Sequence, residues 1–107
     1  MRWRLLLCML LLTTQAAALT VKLAWDPPAV GVPETYVLYR KIGTGQYELL
    51  ATIPVPTLTY TDNTAVLGSN CYQVTASNSG GESLPSNIAC FQGQTAPGPP
   101  QALRIIP

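Results

Sequence analysis

Cysteines and carboxylates are the residues here whose types and spacing could do chemistry, because the chain has no histidine. Cys71 lies nine residues before Gly80 and Cys90 nine after Gly81. A hairpin turning on that glycine pair sets the two cysteines opposite each other, within bonding reach if no bulge shifts the register. A disulfide between Cys71 and Cys90 is therefore expected. Closing a loop of this length contributes about 3 kcal/mol on the chain-entropy model. The alternative, metal binding, is poor, since two thiolates without a histidine make an incomplete zinc site.

The five carboxylates, Asp26, Glu34, Glu48, Asp62 and Glu82, fall among turns and outward strand positions, and none makes an evident acid/base pair. There is no Gly-rich phosphate loop and no G-x-S-x-G elbow. No catalysis, cofactor or metal is expected. Only 10% of residues are charged, which argues against nucleic acid, whose backbone calls for clustered Lys and Arg. Arg40 and Lys41, at a strand end, are expected to be solvated. Ser77, Asn78, Ser79, Gly80, Gly81, Glu82 and Ser83 form the candidate binding loop, although plain turn chemistry accounts for the same composition.

Residues 1–18 read as an export signal. Arg2 and Arg4 precede the apolar run Leu5 to Leu12, and small residues end in an A-x-A pattern at Ala16 and Ala18. Cleavage after Ala18 removes Cys8, so the odd cysteine count becomes one pair in an oxidising compartment. The rival reading is an uncut anchor, but the run is short of the roughly 20 residues a spanning helix needs. Beyond the leader stand four cations (Lys22, Arg40, Lys41, Arg104) against the five acids, a net charge of −1. A secreted, periplasmic or cell-surface location follows, with no stable membrane span after cleavage.

The elements that must position these residues are strands. Val21, Leu23 and Trp25 alternate with Lys22 and Ala24 until Asp26-Pro27-Pro28 stops the run. Glu34 to Lys41 carries Tyr36 and Leu38 on one side and Val37 and Tyr39 on the other, as a central strand would. Tyr47 to Ile53 returns after a glycine turn, and Pro54 and Pro56 suggest an edge. Leu58 to Asp62 points Tyr60 inward, and Val66 or Leu67 is expected to plug the core at the following crossing. In the hairpin, Tyr72, Val74 and Ala76 face the core and Cys71, Gln73 and Thr75 face away, which makes the disulfide a surface staple. The second arm is read as Ser86 to Gln92. The core is thus expected to rest on Trp25, Tyr36, Leu38, Tyr60, Tyr72 and Val74, with Val21 and Leu23, in an all-β antiparallel sandwich.

Taken together, VKLAWDPP, YVLYRKIGTGQYELLATI, TYTD and LGSNCYQVTASNSGGESLPSN resemble a fibronectin type III domain of the small exported bacterial or phage kind. The likeness spans about Thr20 to Gln92. It implies that Trp25 is the core tryptophan and that the Tyr72 hydroxyl ties back to the preceding corner. It also implies an exported binding or adhesion module with a protein or glycan partner. Residues 19–93 would be the domain. The departure is at the ends: the first strand of the family is missing at the N-terminus, and Ala96 to Ile106 (APGPPQALRII), within the Pro-rich tail 94–107, looks like such a strand placed after the domain.

Three readings of that tail stand open. It is loose, as termini commonly are; or it folds back in cis beside Val21 to Trp25; or one molecule donates it to the next. Donation makes the protein a structural subunit assembling head-to-tail through residues 95–107.

Overall fold

A computed structural model of the chain describes residues 18–107. All of the expected signal but Ala18, and Cys8 with it, lies outside the described residues. Seven strands follow in order: β1 (Leu19–Ala24), β2 (Thr35–Ile42), β3 (Glu48–Pro54), β4 (Thr59–Ala65), β5 (Gly68–Asn78), β6 (Gly81–Glu82) and β7 (Ala89–Gly93). Every pairing is antiparallel, and the architecture is all-β, as the alternation predicts. β1 and β4 form a two-stranded sheet, while β3, β2 and β5 run side by side in the other, where β6 and β7 share the far edge of β5. β2 is central and β3 an edge, matching the apolar content of both β2 faces and the prolines at the end of β3, Pro54 within it and Pro56 beyond.

The core fills the space between the sheets. Val21, Tyr36, Leu38, Ile53, Ala65 and Tyr72 are buried, and Leu23, Trp25, Tyr60, Val74 and Phe91 pack against them half-buried. Trp25 meets Tyr36 edge to face, with ring centroids 5.6 Å apart, a favoured aromatic geometry. At the β4–β5 corner, Ala65 is buried and closes the core, whereas Val66 and Leu67 stay exposed. The expected plug is thus displaced by one residue. The reason is a bulge: two steps along β1, from Leu19 to Val21, face three along β4, from Asp62 to Ala65, and the extra residue shifts the alternation so that Ala65 turns inward.

The hairpin reaches its disulfide by an unexpected route. Asn78 pairs with Gly81 and Ser77 with Glu82, so the turn centres on Ser79-Gly80, one residue earlier than the glycine pair suggests. Five steps then separate Tyr72 from Ser77 on β5, and seven separate their partners Glu82 and Ala89. The two extra residues sit in an irregular stretch, held where Ser83 N donates to Ala76 O and Ser86 N to Val74 O. Beyond it Cys71 and Cys90 stand opposite each other, with S–S 2.09 Å. Cys71 occupies the β5 face opposite the core-facing Tyr72, yet it is buried rather than exposed, because that face is itself covered. Thr75, four residues along, is buried on the same side.

Residues 94–107 form no strand and are exposed throughout. Among the described residues β1 pairs with β4 alone, so its outer edge is open. Gly93 lies against the start of β1: a Cβ there would run into the Val66 carbonyl and stand 2.7 Å from Leu19 Cδ1. The end of β7 and the beginning of β1 therefore share one pole, called here the Leu19 pole. The loops after Trp25 make the other.

Candidate functional site

Two places in the sandwich bring polar chemistry together, and only one of them reaches the surface. The internal one centres on Asp62, which is 1% exposed. It shares the inward parity of Tyr60 on β4, while Arg40 continues the inward row of Tyr36 and Leu38 on β2. Arg40 Nη1 donates to Asp62 Oδ2 at 2.8 Å and to Thr64 Oγ1 at 2.8 Å. The Thr64 hydroxyl and backbone N–H donate to Asp62 Oδ1 at 2.6 and 2.9 Å. The Tyr72 hydroxyl completes the set, donating to Asp62 Oδ2 at 2.7 Å.

Burial alone would push the Asp62 carboxyl up. The bonds from Thr64, Tyr72 and Arg40 outweigh it and hold the group below the usual carboxylate range. Burial, then the bond to Asp62 and its negative charge, push the Tyr72 phenol well above its ordinary value. An ionised aspartate whose acceptors are filled, beside a phenol that keeps its proton, is a structural tie between the sheets.

This cluster corrects two expectations. Arg40 is paired rather than solvated, and Asp62 is an inward residue rather than an outward one. Alternation carried the signal: Asp62 is two residues after Tyr60, and Arg40 two after Leu38. It also revises the tie implied for Tyr72. The hydroxyl bonds a β4 side chain, and the corner is instead held by the buried Asn70, which accepts from Val66 N (2.9 Å) and donates to Val66 O (2.8 Å) and Gly68 O (3.1 Å).

The surface site is the pole beyond Trp25. The loop 26–34 and the β5–β6 turn meet there. Asn78 Nδ2 donates to Val32 O at 3.0 Å, and Glu34 N to Ser77 O at 2.8 Å. Between them opens a cleft of about 280 Å³ lined by Val30, Val32, Asn78, Gly80 and Glu82 among others. The turn is locally built: Asn78 Oδ1 accepts from Gly80 N at 2.7 Å, and Gly81 sits at φ +124°, a conformation that strains other residues.

Of the candidate loop, Ser77, Asn78, Gly80, Gly81, Glu82 and Ser83 line this cleft, and Ser79 is the exposed tip. Glu82 is drawn onto the strands, accepting from Tyr39 Oη at 2.6 Å and from Thr75 Oγ1. Those two bonds hold its carboxyl below the usual range, while the bond to Glu82 raises the Tyr39 phenol. Ser83 caps the irregular stretch, its hydroxyl accepting from Ala76 N at 2.9 Å. The polar members of the loop are thus mostly engaged in the turn. What faces outward is aliphatic: Val30 is 87% exposed, Val32 80% and Leu84 89%. Sequence reasoning missed these three because isolated aliphatic residues in loops carry no periodicity.

A second cleft, of about 350 Å³, runs along the open edge of β1, lined by Leu23, Ala24, Trp25 and Asp26 on one side and by Leu38, Val74 and Ser86 among others on the opposite side. Among the described residues no group of three or more Cys, Asp or Glu converges as a metal site, and no helix is long and apolar enough to cross a membrane. The Cys71–Cys90 disulfide is compatible with an extracellular protein.

No protein-family model matches the sequence, and no curated protein matches it. Solved structures do resemble the fold. One is the twitchin kinase region from C. elegans (Fn31-NL-kin-CRD-Ig26), with a TM-score of 0.63 at 20% identity over 72% of this chain. The fold is that of the fibronectin type III and immunoglobulin sandwiches. The chain spans 14% of the length of that twitchin region, and at this identity the likeness speaks for the fold alone.

Proposed function

We propose that the chain is an exported, non-catalytic binding module of fibronectin type III kind, whose contact surface is the pole beyond Trp25. The observation that carries this is the exposed pair Val30 and Val32 in the loop cleft, with exposed Leu84 in an adjoining cleft that shares Pro28, Ala76 and Ser83 with it. Isolated exposed apolar residues need no explanation, but several at one end of a small sandwich form a patch of the kind that marks interaction sites. The patch is aliphatic, and among the described residues no Lys or Arg lines either cleft, which favours the apolar surface of a protein partner over a glycan or a nucleic acid. The rigid sandwich holds the two loops, and the disulfide fixes the arm that follows the second.

The test compares the exported chain with a Val30→Asp, Val32→Asp, Leu84→Asp variant for retention on an envelope fraction. Leu49→Asp, on the exposed face of edge strand β3, serves as a control. Binding that the triple variant loses and the control keeps supports the reading. Equal binding by all three, or no binding by the parent, refutes it.

A further inference from the structure

The two-stranded sheet is one strand too thin for the cleft beside it. Among the described residues β1 offers an unpaired edge, and the wall of the cleft continues from Leu23 and Trp25 to Leu38 and Val74 on the other sheet. Open edges are templates for an added strand, and pockets beside them take its alternate side chains. The chain carries a segment of matching pattern whose apolar side chains are uncovered among the described residues: in the tail, Leu103 is 101% exposed and Ile105 98%, with Arg104 between them.

We propose that the tail of a second copy of this chain adds to the β1 edge, setting Leu103 and Ile105 into the cleft. Direction selects a second copy. Antiparallel pairing takes a strand that enters at Trp25 and leaves at Leu19. The tail, however, departs from Gly93 at the Leu19 pole, so entering β1's edge directly from there it would run parallel to β1. A neighbour whose Leu19 pole rests on the Trp25 pole delivers its tail in the required direction. The contact is head-to-tail, so its repetition builds filaments or rings.

Charge, side-chain parity and the extent of β1 together select the register. Val21, Leu23 and Trp25 face inward and Lys22, Ala24 and Asp26 outward. With Leu103 opposite Trp25 and Ile105 opposite Leu23, Arg104 falls opposite Ala24 and diagonal to both Asp26 and Lys22, so the attraction of one offsets the repulsion of the other. Sliding the tail two residues along β1 towards Leu19 puts Arg104 directly opposite Lys22, a like-charge pair. Sliding it two the other way sets Arg104 opposite Asp26 but leaves Leu103 beside Pro27, which has no N–H to pair and lies beyond the end of β1. One register therefore satisfies both faces.

The test uses the chain exported to an oxidising compartment, with its N-terminus read by mass spectrometry and Cys8→Ser in case the leader is kept. Light scattering after size exclusion follows its mass up to about 1 mM, the weak end of specific association. The expected result is a mass that rises with concentration and returns to that of a monomer in the Leu103→Asp, Ile105→Asp variant, whose changes lie on fully exposed side chains. Copies carrying Ala24→Cys mixed with copies carrying Arg104→Cys should form an intermolecular disulfide, and Lys22→Cys with Arg104→Cys should not. The proposal is overturned by a monomer throughout, by assembly that survives both aspartates, by preferential bonding to Lys22→Cys, or by a bond that forms only within one chain carrying both cysteines. The last result would show the tail returning in cis.

Discussion

Replacing Asp62 with alanine isolates the polar tie that joins the two sheets. The carboxylate accepts four hydrogen bonds, from Arg40, Tyr72 and twice from Thr64. Its loss strands the hydroxyl of Tyr72, a residue 2% exposed, which costs about 1–3 kcal/mol for an unmatched buried donor. Arg40 suffers less. Its side chain is 18% exposed and keeps Thr64 as a partner, so it recovers part of its hydration. Breaking a fully buried ion pair costs roughly 3–5 kcal/mol, and discounting for that exposure gives about 3 kcal/mol for Asp62→Ala. A domain of this size holds about 5–10 kcal/mol, so the variant should fold but marginally. With a urea dependence near 1 kcal/mol per molar, the unfolding midpoint should drop by about 3 M. Tyr72→Phe leaves Asp62 with Arg40 and Thr64 and should cost about 1 kcal/mol. The double variant should cost less than the sum of the two, because the residues share one bond. An Asp62→Ala midpoint within about 0.5 M of the parent would refute the claim that this cluster ties the sheets.

Four further outcomes follow from the same structure. The Asp62 carboxyl is held below its ordinary value, so its stabilisation is fully present above the unfolded pKa near ~3.9 and is lost as pH falls through the folded one. Urea midpoints should therefore fall below about pH 4 in the parent, and Asp62→Asn should flatten that limb. Replacing Cys71 and Cys90 together with serine should cost about 3 kcal/mol in calorimetry. Gly93→Ala should cost about 1–3 kcal/mol by the same assay, because its methyl meets the Val66 carbonyl and Leu19, and backbone yields little. Trp25→Ala should cost about 3 kcal/mol, the low end for a core aromatic, since Trp25 is half-buried; a midpoint near the parent would remove it from the core.

Much of the fold was legible because period-2 alternation is a local property. Val21, Leu23 and Trp25, Tyr36 and Leu38, and Tyr72 and Val74 can be assigned to one face from neighbours two residues away. The cysteine pair was legible for a weaker reason. Its symmetry about Gly80-Gly81 assumes an unbroken hairpin, whereas the real hairpin turns one residue earlier and regains the register through two extra residues. The polar tie was less legible. Asp62 and Arg40 obey the same alternation as their apolar neighbours, but a charge at an inward position is read as outward until its partner on the facing sheet is known.

The sequence by itself determines the strands, their inward faces, the turns that separate them and the cysteines available to bond, since each depends on residues close along the chain. Only the tertiary structure decides which edges remain unpaired, because an edge is defined by strands that are absent from one side of it. It alone also decides that Asp62 meets Arg40 and Tyr72, that Val30, Val32 and Leu84 share one pole, and that Gly93 returns beside Leu19. These are meetings of residues 20 or more apart in sequence in most cases, and they are fixed by how two sheets stack rather than by any period within a strand.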